Sequence, residues 1–384
     1  MNRRQVLSRL ALGGTAVLAG CFAETEDTSR EEPLDPSIDG APMFQYDELN
    51  SGYAPDTSVQ TEGDERWRFR TDGPVAAPPA VSDGTVYVGG GTHVYALDAV
   101  DGVRQWSFET TGAVRASPAV VDGTLYVGSR GGVVYAINVA DGTERWRFEA
   151  NGPVDSSPVV VDGVAYTATR ATAGRVYALD TADGTEQWHF ETSYRVISSP
   201  AIAADTVYVG GWDSNVYAID ATDGSERWVV ETGQPVLSSP AVHEGTVYIG
   251  GNDDTLYALD GSDGSERWTV TTNGIATTPA VANGTVYVGT ETDDGRFSAI
   301  NAGDGTLRWT IDVGVAVSAP ASIADGAVYV GRSDGVLTAL SVTDGTEQWR
   351  FSTNDSVRSP PVAADGGLYV GSTDGALYAL GDPD

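Results

Sequence analysis

Few side chains in this sequence have the chemistry for catalysis. The chain contains three histidines, His93, His189 and His243, and one cysteine, Cys21. No two histidines have the spacing of a pair of metal ligands. All 22 basic residues are arginine, so no lysine is present to form a Schiff base or to complete a phosphate-binding loop. We therefore predict no catalytic, cofactor-binding or metal-binding residue.

Carboxylates are abundant, but their pattern does not indicate a metal site. Asp253 and Asp254, and likewise Asp293 and Asp294, fall in stretches typical of turns. Calcium-binding loops place oxygen ligands at fixed offsets with a glycine at the bend, and neither stretch follows that pattern. We interpret these residues as solvated turn acids.

The strongest pattern in the chain is a repeat of about 40 residues. The segment 96–106, ALDAVDGVRQW, returns six times, and successive tryptophans from Trp106 to Trp349 are 40, 42, 40, 40, 41 and 40 residues apart. A period of this length is typical of repeat architectures. Between the copies lie short runs rich in Val, Tyr, Ile and Ala, separated by Asp-Gly turns. Each repeat thus contains four strands, which predicts an all-β fold with one propeller blade per repeat.

Each repeat carries a tryptophan that one small twisted sheet cannot cover. We expect the indole to pack against the neighbouring blade. The glycine of each Asp-Gly turn is explained by a positive φ. The predicted docking residues are Trp67, Trp106, Trp146, Trp188, Trp228, Trp268, Trp309 and Trp349.

These repeats resemble the tryptophan-docking motif of the pyrroloquinoline quinone (PQQ)-like propeller family, Ala-x-Asp-x-x-Thr-Gly-x-x-x-Trp. The resemblance extends over residues 62–381, with aspartate replacing threonine in every complete copy, as at Asp101. The family contains quinoprotein dehydrogenases and non-catalytic scaffolds such as the lipoprotein BamB. The dehydrogenases bind PQQ and Ca²⁺ on the propeller axis, with an aspartate base, stacking aromatics and, in many, a disulfide between adjacent cysteines. One cysteine cannot form that disulfide, so we expect no cofactor, and PQQ with calcium enters only under the dehydrogenase alternative.

The ends of the repeat region indicate eight blades. The strand represented by SPAV at Ser117 occurs eight times, whereas the last repeat stops without a tryptophan of its own. Near the start, GDERWRFRT places Trp67 as in the second half of the docking motif. We predict that residues 61–384 form an eight-bladed β-propeller, closed by an N-terminal strand within residues 62–71 that joins the last blade.

The N-terminal residues predict export and anchoring. Residues 1–21 read as a twin-arginine-type lipoprotein signal, because Arg3 and Arg4 precede an apolar run too short to span a bilayer. Leu18 to Cys21 resembles a lipobox, so Cys21 is the predicted lipidation site, and an ordinary cleaved signal is the alternative. Residues 22–60 predict an acidic tether, with packing of its part around residues 43–46 left open.

The net charge of −32 bears on environment and partners. An acidic surface of this density repels itself unless salt screens it, and this composition resembles that of halophile proteins, in particular haloarchaeal ones. The same charge argues against nucleic acid as a ligand, because nucleic-acid binding requires basic patches.

Candidate binding residues are those that break the repeat on one face. Loops from outer to next inner strand and turns between the two middle strands share a face in propellers. On the loops, the position three residues before the aligned proline varies widely: Ala76, Arg115, Asp155, Ile197, Leu237, Ala276, Val317 and Arg358. Trp212 interrupts one middle turn, Tyr194 and Arg195 replace a Thr-Gly turn, and residues 169–175 form a longer hairpin. The predicted partner-binding residues are Arg115, Asp155, Tyr194, Arg195, Trp212 and Arg358. Drift at unconstrained positions would give the same pattern.

The sequence therefore predicts an exported, non-catalytic scaffold on the cell-surface membrane. Its expected partners are envelope or membrane proteins, its membrane contact is the lipid anchor, and we expect a monomeric propeller. The first alternative is a PQQ-dependent dehydrogenase of alcohols or sugars. The second is a carbohydrate-binding surface protein.

Overall fold

The computed structural model describes residues 40, 41, 43–55, 57–59 and 61–381. In this part of the chain the strands form eight small sheets, the blades of a propeller, so the all-β, eight-bladed prediction is confirmed. The described residues include no helix that is long and apolar enough to cross a membrane. The predicted signal at 1–21 lies outside them.

Every blade has four antiparallel strands, and the short innermost strands of adjacent blades contact one another around the axis. The innermost strands are β4 (Ala80–Ser82), β8 (Ala119–Val121), β12 (Val159–Val161), β16 (Ala201–Ala203), β20 (Ala241–His243), β24 (Ala280–Ala282), β28 (Ser322–Ala324) and β32 (Val362–Ala364). The second strands are β5 (Thr85–Gly90), β9 (Thr124–Gly128), β13 (Val164–Ala168), β17 (Thr206–Gly210), β21 (Thr246–Gly250), β25 (Thr285–Gly289), β29 (Ala327–Gly331) and β33 (Gly367–Gly371).

The two outer positions of each blade carry the longer strands. The third strands are β6 (His93–Asp98), β10 (Val133–Asn138), β14 (Arg175–Asp180), β18 (Asn215–Asp220), β22 (Thr255–Asp260), β26 (Arg296–Asn301), β30 (Val336–Ser341) and β34 (Ala376–Leu380). The outermost strands of blades 1 to 7 are β7 (Arg104–Glu109), β11 (Glu144–Glu149), β15 (Glu186–Glu191), β19 (Glu226–Glu231), β23 (Glu266–Thr271), β27 (Leu307–Asp312) and β31 (Glu347–Ser352).

The outermost strand of blade 8 comes from the N-terminal end of the propeller. Strand β3 (Glu65–Arg70) pairs antiparallel with β34, and Trp67 lies opposite Ala379. The Trp67 ring then lies 5.9 Å from that of Tyr369 on β33. The predicted closure is confirmed, and it gives blade 8 the outer strand that its own repeat lacks.

Strand register explains the repeated Tyr, Ala and Trp. In blade 2, Tyr126 lies opposite Ala136, and Ala136 lies opposite Trp146, so the two rings meet across a small side chain. Their centroids are 5.8 Å apart, and the corresponding pair in every blade lies between 5.7 and 6.0 Å. A larger residue at the alanine would separate the rings, so the pattern is one of packing.

Each indole packs on the next blade as expected. In blade 4, Trp228 is 8% exposed and its Nε1 donates a hydrogen bond to the Gly261 carbonyl of blade 5 at 2.9 Å. Gly264, in the Asp-Gly turn of blade 5, covers the ring so closely that an added Cβ would lie 2.9 Å from it. Two independent conditions therefore require a glycine in this turn. Its φ is +74°, and the indole leaves no room for a side chain.

Hydroxyl groups near the axis also link consecutive blades. The residue before the aligned proline of one blade donates its amide to the hydroxyl at the same position in the next, at 2.8–3.0 Å. This series connects Ser117, Ser157, Ser199, Ser239 and Thr278. Because these hydroxyls satisfy buried backbone donors, they have a structural role.

Residues 43–55, here called the axial segment, lie against the innermost strands. Four of its carbonyls accept amide hydrogen bonds from blades 4 to 7, at 2.7–2.8 Å: Glu48 from Ile202, Leu49 from Val242, Ser51 from Val281 and Gly52 from Ile323. Strand β1 (Gly40–Ala41) adds to β4, and β2 (Tyr53–Ala54) pairs parallel with β28. The acidic tether predicted for residues 22–60 is therefore wrong for this part, because the backbone is hydrogen-bonded to the ring.

The axial segment buries polar groups. Asn50 is fully buried, and its Nδ2 donates to the carbonyls of Pro200 and Pro240, both at 3.0 Å. Asp47 is 5% exposed and accepts hydrogen bonds from the amide and hydroxyl of Ser51. Burial raises the pKa of Asp47 to about 7. Gln45, Tyr46 and Asn50 have positive φ, a strained conformation that the surrounding contacts must hold.

We predict that Trp228→Ala lowers the free energy of unfolding by about 3–5 kcal/mol, because it empties an interblade contact and removes a hydrogen bond. Urea denaturation measures this change. Leu307→Ala is the control, since Leu307 is 58% exposed, and it should change the same quantity by less than about 0.5 kcal/mol. Equal losses in the two variants would contradict interblade docking.

We also predict that the buried carboxyl of Asp47 makes stability fall as pH rises. Between pH 4 and 7 the folded state keeps a proton that the unfolded state releases, so this stabilisation is full below about pH 4 and lost above about pH 7. Relative to Asp47→Asn, the wild type should lose up to about 4 kcal/mol of unfolding free energy between pH 4 and pH 8.

Asp260→Asn is a control for that measurement, because the pH dependence of its effect on stability has the opposite sign. Hydrogen bonds from Ser262 and Arg267 lower the pKa of Asp260 to about 2, so the ionised carboxylate stabilises the fold above pH 4. That stabilisation is lost as pH falls towards 2. If the difference in unfolding free energy between wild type and Asp47→Asn does not change with pH, the raised pKa of a buried Asp47 carboxyl is contradicted.

Candidate binding face

The candidate residues lie on the face formed by the outer-to-inner loops and the middle turns. Each loop is anchored by an apolar residue: Val154, for example, packs on Gly128 of the preceding blade and donates its amide to the Ser129 carbonyl at 3.0 Å. The residue after this anchor, Asp155 in blade 3, is thereby held at the inner rim. Tyr53 of the axial segment accepts a hydrogen bond from Asn283, in a turn between an innermost and a second strand, which places this end of the segment towards the opposite face.

Two positions aligned with this rim do not belong to it. Ala276 and Val317 are 4% and 0% exposed, and they pack on Gly250 and Gly289 as anchors. Each lies three residues before its proline, whereas Val154 lies four before. The loop to blade 6 is one residue shorter than the loop to blade 3, and in blade 7 the loop keeps its length but Pro320 lies one residue further from the innermost strand. The interpretation of Ala276 and Val317 as rim positions is therefore wrong.

Asp155 is the centre of the cationic part of this face. Arg130 binds both of its carboxylate oxygens at 2.9 Å, through Nε and Nη2, and Arg170 reaches Oδ2 at 3.3 Å. The Asp155 side chain is only 11% exposed, and the hydrogen bond to it raises the pKa of Arg130. A bidentate pair of this kind fixes the guanidinium plane. One carboxylate thus holds two arginines from different blades.

Arg115 and Arg358 add two positive charges without adding an anion. Both side chains are exposed, and neither has a carboxylate within 4 Å among the described residues. Partial burial and the positive charges of Arg130, Arg170 and Arg358 lower the pKa of Arg115. We call Arg115, Arg130, Asp155, Arg170 and Arg358 the rim cluster; it carries four cations and one anion.

Glu291 occupies the middle turn of blade 6, within electrostatic reach of Arg358. Its side chain is exposed to solvent, yet the protein around it raises the pKa of Glu291 while Arg358 lowers it. Arg358 thus interacts electrostatically with Glu291 as well as with Arg115. The carboxylate only partly offsets the positive charge of the rim cluster.

Tyr194, Arg195 and Trp212 form a second group, here called the stacked cluster. The Arg195 guanidinium lies 5.1 Å from the Tyr194 ring and 5.6 Å from the Trp212 ring. Arg170 lies 5.9 Å from the same indole, so it joins the stacked cluster to the rim cluster. Cation–π contacts of this kind hold long side chains in place. The six residues predicted from the sequence therefore lie on one face, joined by contacts or by charge interactions, with Arg358 linked through its charge to Arg115.

Arg130 and Arg170 were not among the predicted residues. Both lie at the second position of a middle turn, which also varies from blade to blade: Arg130, Arg170, Trp212, Asn252, Glu291, Ser333 and Thr373 in blades 2 to 8. The sequence analysis identified Trp212 as an exception, but it did not show that Arg130 and Arg170 occupy the same position in their own turns. Aligning all middle turns would have found these arginines.

The residues with potential for catalysis are dispersed. Each histidine lies beside a carboxylate on its own part of the surface: His93 with Asp72, His189 with Glu186 and His243 with Glu244. One Gly-x-Ser-x-Gly pattern occurs, at residues 331–335. Its Ser333 lies in a turn between the antiparallel strands β29 and β30, whereas a nucleophile elbow joins a strand to a helix. Ser333 is therefore not in the setting of a nucleophile elbow, and the three histidines lie apart from one another in the described part of the chain.

The donor set on this face does not fit PQQ with calcium. No group of three or more His, Cys, Asp or Glu side chains in the described part of the chain could hold a metal ion. Asp155, the buried carboxylate of the rim, is occupied by two guanidinium groups. Arg170 and Arg195 lie 5.9 and 5.6 Å from the Trp212 ring, where they compete with a stacked quinone.

Solved structures with this fold include both scaffolds and enzymes. BamB from Moraxella catarrhalis superposes with a TM-score of 0.71 at 18% identity, covering 83% of this chain and 100% of that one. A europium-containing methanol dehydrogenase gives 0.77 at 14% identity, covering 90% and 98%. The quinohemoprotein alcohol dehydrogenase from Comamonas testosteroni gives 0.76 at 16% identity, covering 90% and 81%. At these identities the likeness shows the fold.

The sequence itself matches one family profile along nearly the whole propeller. No curated protein sequence matches the chain. The profile described as outer membrane protein assembly factor BamB matches four overlapping stretches, residues 33–117, 110–235, 212–320 and 316–383. Because these stretches cover far more than half of the chain, the protein belongs to the family described as outer membrane protein assembly factor BamB.

Proposed function

We propose that this protein is an extracytoplasmic, lipid-anchored scaffold that binds an envelope protein and catalyses no reaction. The observation that carries the proposal is the joining of the rim cluster and the stacked cluster on one face. Half-exposed Trp, Tyr and Arg side chains held in fixed orientations are the composition of a binding hot spot. Membership of the BamB family supports a scaffold.

The dehydrogenase alternative is not favoured by the residues of this chain. The fold is shared with quinoprotein enzymes, so it does not distinguish the two functions. The side chains distinguish them, because the carboxylate and indole that a quinone site would use are paired with arginines. We propose that the propeller works without PQQ, and also that its acidic surface suits a salt-rich environment.

We predict that the double variant Trp212→Ala, Arg195→Ala loses its partner in a pull-down from solubilised native envelope. The expected loss is at least tenfold, since truncating a hot-spot residue costs about 2 kcal/mol or more. Melting temperature and circular dichroism should remain close to those of the wild type, because both side chains lie at the surface of an otherwise intact blade.

Leu307→Ala is the matched control for that pull-down, since it removes an exposed apolar side chain from the opposite end of an outer strand. Full partner recovery by a folded double variant would refute the proposed face. Tight binding of added PQQ with Ca²⁺, together with dye-coupled oxidation of an alcohol or sugar, would instead support the dehydrogenase. Binding to a glycan array in high salt would support the carbohydrate-binding alternative.

We further predict that Cys21→Ser releases the exported protein from the membrane fraction. Without the thiol no thioether-linked lipid can form, and a protein carried by a single lipid-modified residue would lose its anchor. Fractionation with mass spectrometry of the mature N-terminus measures the effect. Arg3→Lys with Arg4→Lys is the companion variant, which should leave the protein unexported; membrane retention of Cys21→Ser would contradict the lipid anchor.

A further inference from the structure

We propose that the rim face receives an acidic polypeptide segment of the partner, with carboxylates on Arg115 and Arg358 and an apolar side chain beside Trp212. This inference rests on the proposed scaffold function and specifies the chemistry of what is bound. Its charged contacts, Arg115 and Arg358, lie outside the stacked cluster, so the two can be tested separately.

Charge segregation is the first argument. The chain has 54 acidic and 22 basic residues, yet five arginines converge on this face: Arg115, Arg130, Arg170, Arg195 and Arg358. Among the described residues, Asp155 and Glu291 are anions that interact with these arginines. Positive charges that repel one another are stabilised when a carboxylate-bearing ligand enters between them. This local group of arginines on an acidic protein is therefore suited to an anion.

The arginines also differ in whether a carboxylate of the protein already binds them. Arg130 and Arg170 are held by Asp155, which fixes their positions and uses much of their hydrogen-bonding capacity. Arg115 and Arg358 are exposed, and no carboxylate among the described residues occupies their guanidinium groups. Arginine binds carboxylates through two parallel hydrogen bonds. Arg115 and Arg358 are thus the ligand-accessible pair, and the other two supply a fixed positive field.

The distribution of the cluster favours an extended ligand. Arg358 belongs to the loop entering blade 8, Arg115 to that entering blade 2, and Arg195 to that entering blade 4. The cations therefore follow more than half of the ring, and one small anion cannot contact them all. A polypeptide strand that crosses the face can place successive carboxylates along this arc.

Apolar side chains beside the arginines favour a peptide over a polyphosphate. Ile197 occupies the rim position in blade 4, the blade that carries Trp212, and Leu237 occupies it in the adjacent blade 5. A peptide can use this surface with an apolar residue, whereas a nucleic acid presents phosphates along its whole length. The net charge of −32 also repels a long polyanion approaching from solution. A short segment with a few carboxylates and an apolar anchor fits both parts of the face.

The test uses a labelled twelve-residue peptide, four repeats of Glu-Glu-Leu, and fluorescence anisotropy with the full propeller. The matched peptide replaces every Glu by Gln. The variant is Arg115→Glu with Arg358→Glu, and its control is Arg147→Glu with Arg350→Glu, which makes the same charge change at exposed outer-strand arginines. We expect the Glu peptide to bind at least tenfold more tightly than the Gln peptide. Only the rim variant should lose that difference, and binding should weaken from 0.5 to 2 M KCl.

Three results would overturn the inference: equal binding of the two peptides, equal losses in the rim and control variants, or competition by a twelve-nucleotide DNA or by inorganic phosphate at the peptide's own concentration. The envelope pull-down separates this inference from the proposed function. If Trp212→Ala with Arg195→Ala loses the partner while the rim variant keeps it, the scaffold stands and the acidic segment is refuted. If both variants keep the partner, both are refuted.

Discussion

The ring depends on the contact between each indole and a glycine of the next blade. The contact requires a flat apolar ring on one blade and a turn without a side chain on its neighbour. At Gly184 an added Cβ would lie 2.5 Å from the Trp146 ring, and at Gly102 it would lie 2.6 Å from Trp67. Seven indoles also donate a hydrogen bond to the following blade, at 2.7–3.0 Å. Because the last blade contains Trp67 from the start of the propeller, the same contact also joins the two ends of the ring.

Much of this architecture can be derived from the sequence, because each repeat must meet the same physical requirements and so shows the same residues. A tryptophan every 40 residues, an alanine between two aromatic positions and glycine after aspartate each have one structural explanation, and agreement among repeats strengthens it. The sequence nevertheless showed only one of the two reasons for these glycines. Positive φ accounts for their type, but the close approach of the indole becomes visible only when adjacent blades are placed together.

The axial segment could not be derived in the same way, because it occurs once. The stretch that contains it, residues 22–60, is acidic and turn-like, and that pattern indicates a solvated linker. Backbone hydrogen bonds to the innermost strands order the axial segment, and Met43, Phe44 and Tyr46 are buried in it. Asn50 and Tyr46 also bind the proline carbonyls of blades 4 and 5 and the amide of Ala363, and Tyr53 accepts a hydrogen bond from Asn283. The composition of the whole stretch hid both the main-chain contacts and these few packed side chains.

The binding face shows why alignment within a repeat has limits as a guide to function. Counting back from the proline placed Val317 with Arg115, although Pro320 lies one residue further from its strand than the other prolines, which makes Val317 an anchor. The loop to blade 6 is one residue shorter than the others, and none of the arginines of the rim and stacked clusters comes from blades 6 and 7. The register and length of the loops therefore contribute to the asymmetry together with residue type. A ring of nearly identical blades acquires a directional, charged face where these two departures coincide, and that is the property a partner can recognise.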